Sequence, residues 1–253
     1  LSGASLLANN ILFSAINSLI DAKGGSDHVI GEDGTNWSLT TDNNQLNSSN
    51  FQFQNINSAD LVGTSLTGTS GDDVFNITAA NEFTTKDIDF TSVASVDAGD
   101  GTADEITSDI TVAATLTGAN ALNGAGIDFS NIEKAGLNSG SLTGTSGNDV
   151  FNITAANAVT TKDIGFTGVA SVDAGDGTAD EITSDISVAA TLTGTNALNG
   201  AGIDFSNIEK ADLNSGVLSG SDNADTFELS GASLLANNIL FSAINSLIDA
   251  KGG

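Results

Sequence analysis

Two kinds of turn, rich in glycine and aspartate, hold the residues of this chain best suited to chemistry. The first is Gly68-Thr-Ser-Gly-Asp-Asp-Val-Phe-Asn76, repeated as Gly144-Thr-Ser-Gly-Asn-Asp-Val-Phe-Asn152 and, in diverged form, as Gly220-Ser-Asp-Asn-Ala-Asp-Thr-Phe-Glu228. The second is Asp97-Ala-Gly-Asp-Gly-Thr-Ala-Asp-Glu-Ile106, copied at Asp173-Ala-Gly-Asp-Gly-Thr-Ala-Asp-Glu-Ile182 and diverged at Asp21-Ala-Lys-Gly-Gly-Ser-Asp27. Such glycines let the backbone curl so that carbonyl oxygens face inward, the aspartates add carboxylates, and the following apolar residue turns into a core and starts a strand. Gathered oxygens of this kind suit a hard cation, and calcium takes about six to eight of them. The competing reading is a metal-free corner in which Asp and Asn cap the turn through their own side chains.

The first turn resembles the haemolysin-type (RTX) calcium-binding nonapeptide repeat, G-G-x-G-x-D-x-U-x, at every position but the second glycine, where Thr69 and Thr145 stand. That resemblance implies a parallel β-roll with Ca2+ held between successive turns. It implies Asp73, Asp149 and Asp225 as carboxylate ligands, with Gly68, Gly71, Gly144, Gly147 and Gly220 shaping the turn and Asp222 nearby. Family members run such nonamers back to back. Here Gly68, Gly144 and Gly220 open nonamers that lie a whole repeat apart, so each needs a different turn stacked on it. The second turn is the candidate, bringing Asp97, Asp100 and Asp104, and in the copy Asp173, Asp176 and Asp180. In the diverged loop, Asp21 and Asp27 lack the middle acid and share the loop with Lys23, so a weaker or empty site is expected there. Asn123-Gly-Ala-Gly-Ile-Asp128 is a looser echo with no metal expected.

The elements that position these turns are set by repetition. Residues 1–25 recur letter for letter at 229–253, which sets an outer period. Within it, 65–140 and 141–216 are copies that differ at about eight positions. Residues 1–64 are the later part of a diverged repeat, and 217–253 are the first part of the next. The triplets that open at Ile88, Ile127, Ile164 and Ile203 mark a finer, half-repeat spacing, roughly twice the length of an 18–20-residue coil. Fixed periods whose units are too small to bury a core alone define a stacked architecture. The runs between turns, such as Val74-Phe-Asn-Ile77 and Asp104–Ala113, are β-branched and bounded by Gly, Asn and Asp. The fold class is therefore all-β: an elongated parallel β-solenoid, β-roll-like, built from tandem 76-residue repeats. One segment, 5–20, spaces its apolar residues as well for an amphipathic helix as for strands; its counterpart at 83–96 is Thr-rich and reads as strand or loop.

Composition narrows the partners. Thirty-two acids against six bases give a formal charge of −26. Charge of this size repels itself in a compact fold unless cations enter the structure, and it disfavours nucleic acid and anionic membrane surfaces. The 39% of apolar residues, regularly interspersed, argue for a folded chain rather than disorder. With no Cys, thiol chemistry and Cys-based zinc sites are excluded. No apolar run approaches the roughly 18 residues of a membrane span. Without a signal segment at Leu1, the chain is expected to be a piece of a longer protein whose targeting signals lie elsewhere.

These observations predict a calcium-stabilised structural segment of a large bacterial surface or extracellular-matrix protein: an adhesin stalk, an S-layer component or a filament subunit. Its expected partners are copies of itself end to end or neighbouring repeats, and cell-surface glycan. Near-identical repeats suit a spacer, whereas an enzyme needs one asymmetric cleft; a β-helix lyase or epimerase would need clustered bases or Tyr, and the chain has one His and no Tyr. Trp37 is expected to cover a coil rather than stack on a sugar. The sequons at Asn36, Asn76 and Asn152 read better as ladder asparagines than as glycosylation sites. The alternative is a module that presents a glycan- or ice-binding surface on one solenoid face, although the Thr-x-Thr runs are too few per unit for an ice-binding array.

Overall fold

A computed structural model describes residues 25–48 and 51–248, together with the backbone of the strands Ser5–Ala8, Ile11–Ser14 and Ser18–Ile20. The described residues are all-β and include no helix. The fold is a parallel β-solenoid. The helical alternative for 5–20 fails: its three described pieces are strands, and the identical sequence at 233–248 forms the strands Ser233–Ala236 and Ile239–Ile248. Ile and Leu runs serve either geometry, and pairing with neighbouring strands decides between them.

The chain divides into two compact units, residues 1–110 with 121–134, and residues 111–120 with 135–253. In the first unit, Val74–Ala79 lies parallel to Glu105–Ser108, with Phe75 opposite Ile106. Ser95–Asp97 is sandwiched between two parallel partners, Ser65–Thr67 on one edge and Ile127–Ser130 on the other. A strand's parallel neighbour thus lies about thirty residues away in sequence. A coil is therefore longer than the roughly 18–20 residues suggested by the half-repeat spacing. The extra length goes into antiparallel meanders within the coil: Val74–Ala79 turns onto Glu82–Thr85, which turns onto Ile88–Thr91.

Alternation along each strand sends one face inward. Phe75, Phe83, Phe90 and Phe129 are buried together, Phe83 stacking on Phe90 at 5.2 Å and meeting Phe75 edge-on at 5.6 Å. Trp37 is 1% exposed and packs 5.9 Å from Phe53, so it is a core residue and not a sugar platform. The second unit repeats the plan. Val150–Ala155 lies parallel to Glu181–Ser184, and Phe151, Val159, Phe166 and Phe205 are buried.

Candidate functional site

Gly68 donates its amide to the Asp97 carbonyl at 2.7 Å, which seats the nonamer turn directly on the second turn. A Cβ at Gly68 would run into the Ala98 carbonyl, and one at Gly144 into that of Ala174. These glycines serve close approach of two backbones. Gly71 and Gly147 do not: a Cβ there meets nothing nearer than 3.9 and 3.7 Å, and neither needs a left-handed backbone. The stacking of unlike turns expected from the wide spacing of the nonamers is therefore present. Thr102 and Ala103 donate their amides to Asp72 Oδ1 at 2.9 and 3.1 Å, and Thr178 and Ala179 donate to Asn148 Oδ1 at 3.0 and 3.2 Å. Aspartate and asparagine interchange at this position because both offer the same side-chain oxygen.

Two of the nonamer aspartates, Asp73 and Asp149, are almost fully enclosed, and Asp225 is half-buried. Asp73, 1% exposed, folds back on its own turn: Oδ2 accepts the Thr69 amide at 2.6 Å and the Thr69 hydroxyl at 2.9 Å. Its other oxygen, Oδ1, faces the Lys86 ammonium at 2.9 Å. In the second unit Asp149 accepts from Thr145 in the same way, and Lys162 Nζ lies 2.6 Å from its Oδ1. In the diverged copy Ser221 caps Asp225 through amide and hydroxyl, and Asn237 donates to Asp225 Oδ1 at 3.1 Å, a neutral group in the place of the lysine. Burial opposes ionisation of Asp225, but the hydroxyl, amide and Asn237 hydrogen bonds prevail and hold its carboxyl below the usual range.

The lysines reach these carboxylates from tight hairpin turns. Lys86 and Asp87 join Glu82–Thr85 to Ile88–Thr91 with φ of 48° and 60°, a doubly left-handed turn that normally favours Asn-Gly. Asn44 holds it, donating its amide to the Lys86 carbonyl at 2.8 Å and its side chain to the Asp87 carbonyl at 2.8 Å. Asn120 does the same for Lys162 and Asp163. The lysines recur at one repeat position, but nothing in the sequence pairs them with the nonamer aspartates, which lie thirteen residues upstream.

The second turn splits its acids. Asp97 is exposed, and its Oδ1 accepts Gly99 N at 3.2 Å and Asn131 Nδ2 at 2.8 Å; Asp173 pairs likewise with Gly175 and Asn207. Asp100 and Asp176 project from exposed positions. Asp97, Asp100 and Asn131 line a cleft of about 270 Å³ with Thr67, Gly68 and Thr69. Asp104 and Asp180 are instead completely buried. Asp104 Oδ1 accepts the Asp73 amide at 2.6 Å, Asp180 Oδ1 accepts that of Asp149 at 2.7 Å, and the Oδ2 atom of each lacks a hydrogen-bond partner. Burial raises the pKa of both; the amide bond opposes the shift, while Glu133 beside Asp104 and Glu209 beside Asp180 add to it. Those glutamates accept the Asp104 and Asp180 amides at 2.9 Å.

Asp27 takes the corresponding place in the diverged copy, with Asn57 Oδ1 accepting its amide at 3.0 Å as Glu133 does for Asp104. Asp21 lies outside the described residues. Asp222 is exposed on the rim of its turn. Asn123 is tied to Asp128 at 2.7 Å. Asn76 and Asn152 each accept a threonine hydroxyl of the parallel neighbouring strand, Thr107 and Thr183, at 3.0 Å.

As a test of fit for calcium, these contacts divide the candidates. Asp73 and Asp149 are already satisfied, and a divalent ion there has to displace a lysine. Asp97 and Asp100, and their copies Asp173 and Asp176, offer outward oxygens beside threonine carbonyls. Among the described residues no three acidic or histidine side chains converge closely enough to form a metal cluster of protein ligands alone. No protein-family model, no curated protein and no solved structure matches the chain.

Proposed function

We propose that this chain is a non-catalytic structural segment of a secreted bacterial surface or matrix protein, a spacer whose reach grows with repeat number and whose acidic turns are stabilised by calcium. What carries the reading is the repetition of the whole turn assembly. Asp73, Lys86, Thr69 and Asp104 recur as Asp149, Lys162, Thr145 and Asp180 with the same contacts. Coil-to-coil bonds use up these side chains, as a load-carrying stack requires and a reaction centre does not. Calcium, when bound, supplies the divalent counter-charge that a net charge of −26 calls for. Asp97, Asp100, Asp173 and Asp176 are the residues that would hold it. Binding to the folded state alone raises stability.

The test is thermal melting followed by circular dichroism, in millimolar calcium and in chelator. A higher melting temperature with calcium, lost when Asp97, Asp100, Asp173 and Asp176 become Asn, supports the proposal. Equal melting in both conditions overturns its calcium part.

A further inference from the structure

Where a nonamer aspartate meets a lysine, the parts of an amide-forming reaction come together: an amine, a carboxyl group, and donors for the oxygen that takes up charge. Lys86 Nζ lies 2.9 Å from Asp73 Oδ1, and Lys162 Nζ lies 2.6 Å from Asp149 Oδ1. Both aspartate side chains are 0% exposed, and both lysine side chains are largely covered. Lys134 and Lys210, by contrast, stand at exposed positions.

Both reactants are held from outside. The Asn44 bonds fix the hairpin turn that carries Lys86, and Asp104 Oδ1 accepts the Asp73 amide at 2.6 Å. Asp73 Oδ2 accepts the Thr69 amide at 2.6 Å and the Thr69 hydroxyl at 2.9 Å, and Thr145 gives Asp149 Oδ2 the same pair. Oδ1 therefore faces the amine while Oδ2 sits under two donors, the arrangement that stabilises an oxyanion. Well-oriented intramolecular pairs react with effective molarities of about 10⁵–10⁸ M.

We propose that Lys86 with Asp73, and Lys162 with Asp149, condense to intramolecular amide bonds that cross-link each nonamer turn to the hairpin beside it. The ammonium passes one proton to Oδ1, and the neutral amine attacks Cγ. Negative charge gathers on Oδ2, under the threonine amide and hydroxyl. A second proton moves from the nitrogen to Oδ1, the Cγ–Oδ1 bond breaks, and water leaves. The ion pair itself supplies both protons, and nothing is oxidised or reduced. Each site reacts once, so the step is self-modification and not turnover. Its product replaces a buried ion pair, which is costly to desolvate, by a neutral amide. Asp225 is the built-in control. Ser221 gives it an amide and a hydroxyl as Thr69 gives Asp73, but the Asn237 carboxamide stands in the place of the amine, and no bond forms there.

The test is intact-mass spectrometry and tryptic mapping of the full chain, incubated folded in chelator, beside a sample kept unfolded in urea. The amide needs no calcium, so the outcome is independent of the calcium reading. The folded chain is expected to weigh less than its sequence by one water for each site, and the urea sample to keep the full mass. After denaturation, trypsin should cut the folded sample at Lys134 and Lys210 but not at Lys86 or Lys162. Branched peptides should join those two lysines to Asp73 and Asp149. Lys86→Arg, which keeps the positive charge but stays protonated, should restore one water and leave the second site reacted. Thr69→Val should slow the bond at Asp73 about 10²–10³-fold while Thr69→Ser does not, with the Asp149 site of the same chain as reference. Full sequence mass with cleavage at Lys86 and Lys162 overturns the inference. Water loss with both lysines still cut also overturns it, since that marks cyclisation at an Asp-Gly step such as Asp100-Gly101. An unchanged rate in Thr69→Val overturns the role given to Thr69.

Discussion

The Lys86 ammonium sits 2.9 Å from Asp73 Oδ1, inside the turn whose sequence pattern otherwise points to a metal. The carboxylate is fully enclosed and the lysine side chain is 21% exposed, so the charge of Asp73 is balanced by the protein itself. The pair recurs at Lys162 and Asp149, and Asn237 with Asp225 is its uncharged variant.

Removing the ammonium leaves a buried carboxylate uncompensated, the costly half of breaking an ion pair. Lys86→Met is expected to destabilise the protein by about 2–3 kcal/mol, moderated by the partial exposure of the lysine. Urea denaturation in chelator checks this. Adding calcium should recover more stability in Lys86→Met than in the unmodified chain, because the vacated oxygen then accepts a cation; equal recovery would place calcium elsewhere only.

Asp104 and Asp180 carry pKa values raised by burial. A carboxyl that holds its proton more tightly when folded contributes stability that is complete below its unfolded pKa and lost as pH rises through its folded pKa. In chelator, melting temperature should therefore climb as pH falls from 7 into the range where these two groups protonate. Asp104→Asn with Asp180→Asn should raise stability at pH 7 and flatten that climb. Asp225, held low, acts oppositely: its contribution disappears as pH falls through its lowered pKa, so stability turns down again at the acid end. A melting temperature that falls steadily from pH 7 downward would contradict the assignment.

The two glycines of the nonamer should part company. At Gly68 a methyl group collides with the Ala98 carbonyl, a backbone atom that cannot swing aside, so Gly68→Ala is expected to cost about 1–3 kcal/mol or more. At Gly71 the methyl finds open space, and Gly71→Ala should stay within about 0.5 kcal/mol of the parent. Chemical denaturation of the two variants side by side tests both.

Neutralising the outward acids should separate metal affinity from folding. Asp97→Asn with Asp100→Asn is expected to lower calcium affinity about tenfold by removing charge from the ligand set, while leaving the chelator-state melting unchanged. Asp73→Asn should do the reverse, lowering stability and leaving calcium affinity intact. Calorimetric titration with melting distinguishes the patterns.

Much of this protein is legible from its sequence because repetition and alternation are local signals. The identity of 1–25 with 229–253, the near-copies 65–140 and 141–216, and runs such as Ile88-Asp-Phe90 determine a stacked all-β fold with one inward face. They also determine that unlike turns must meet, since each nonamer lies far from the next. What only the tertiary structure decides is which atoms satisfy the acids. Asp73 and Asp104 belong to one repeating pattern of Gly and Asp, yet one faces a lysine and the other has an oxygen with no hydrogen bond. Lys86 reaches Asp73 because Asn44, forty-two residues away, fixes a left-handed hairpin. Coil length, too, follows from pairing: strands about thirty residues apart come into register only when the intervening meander folds. Sequence spacing fixes the period of a solenoid, but a buried charge is balanced by whatever the fold brings within about 3 Å, and that distance is set by contacts between coils.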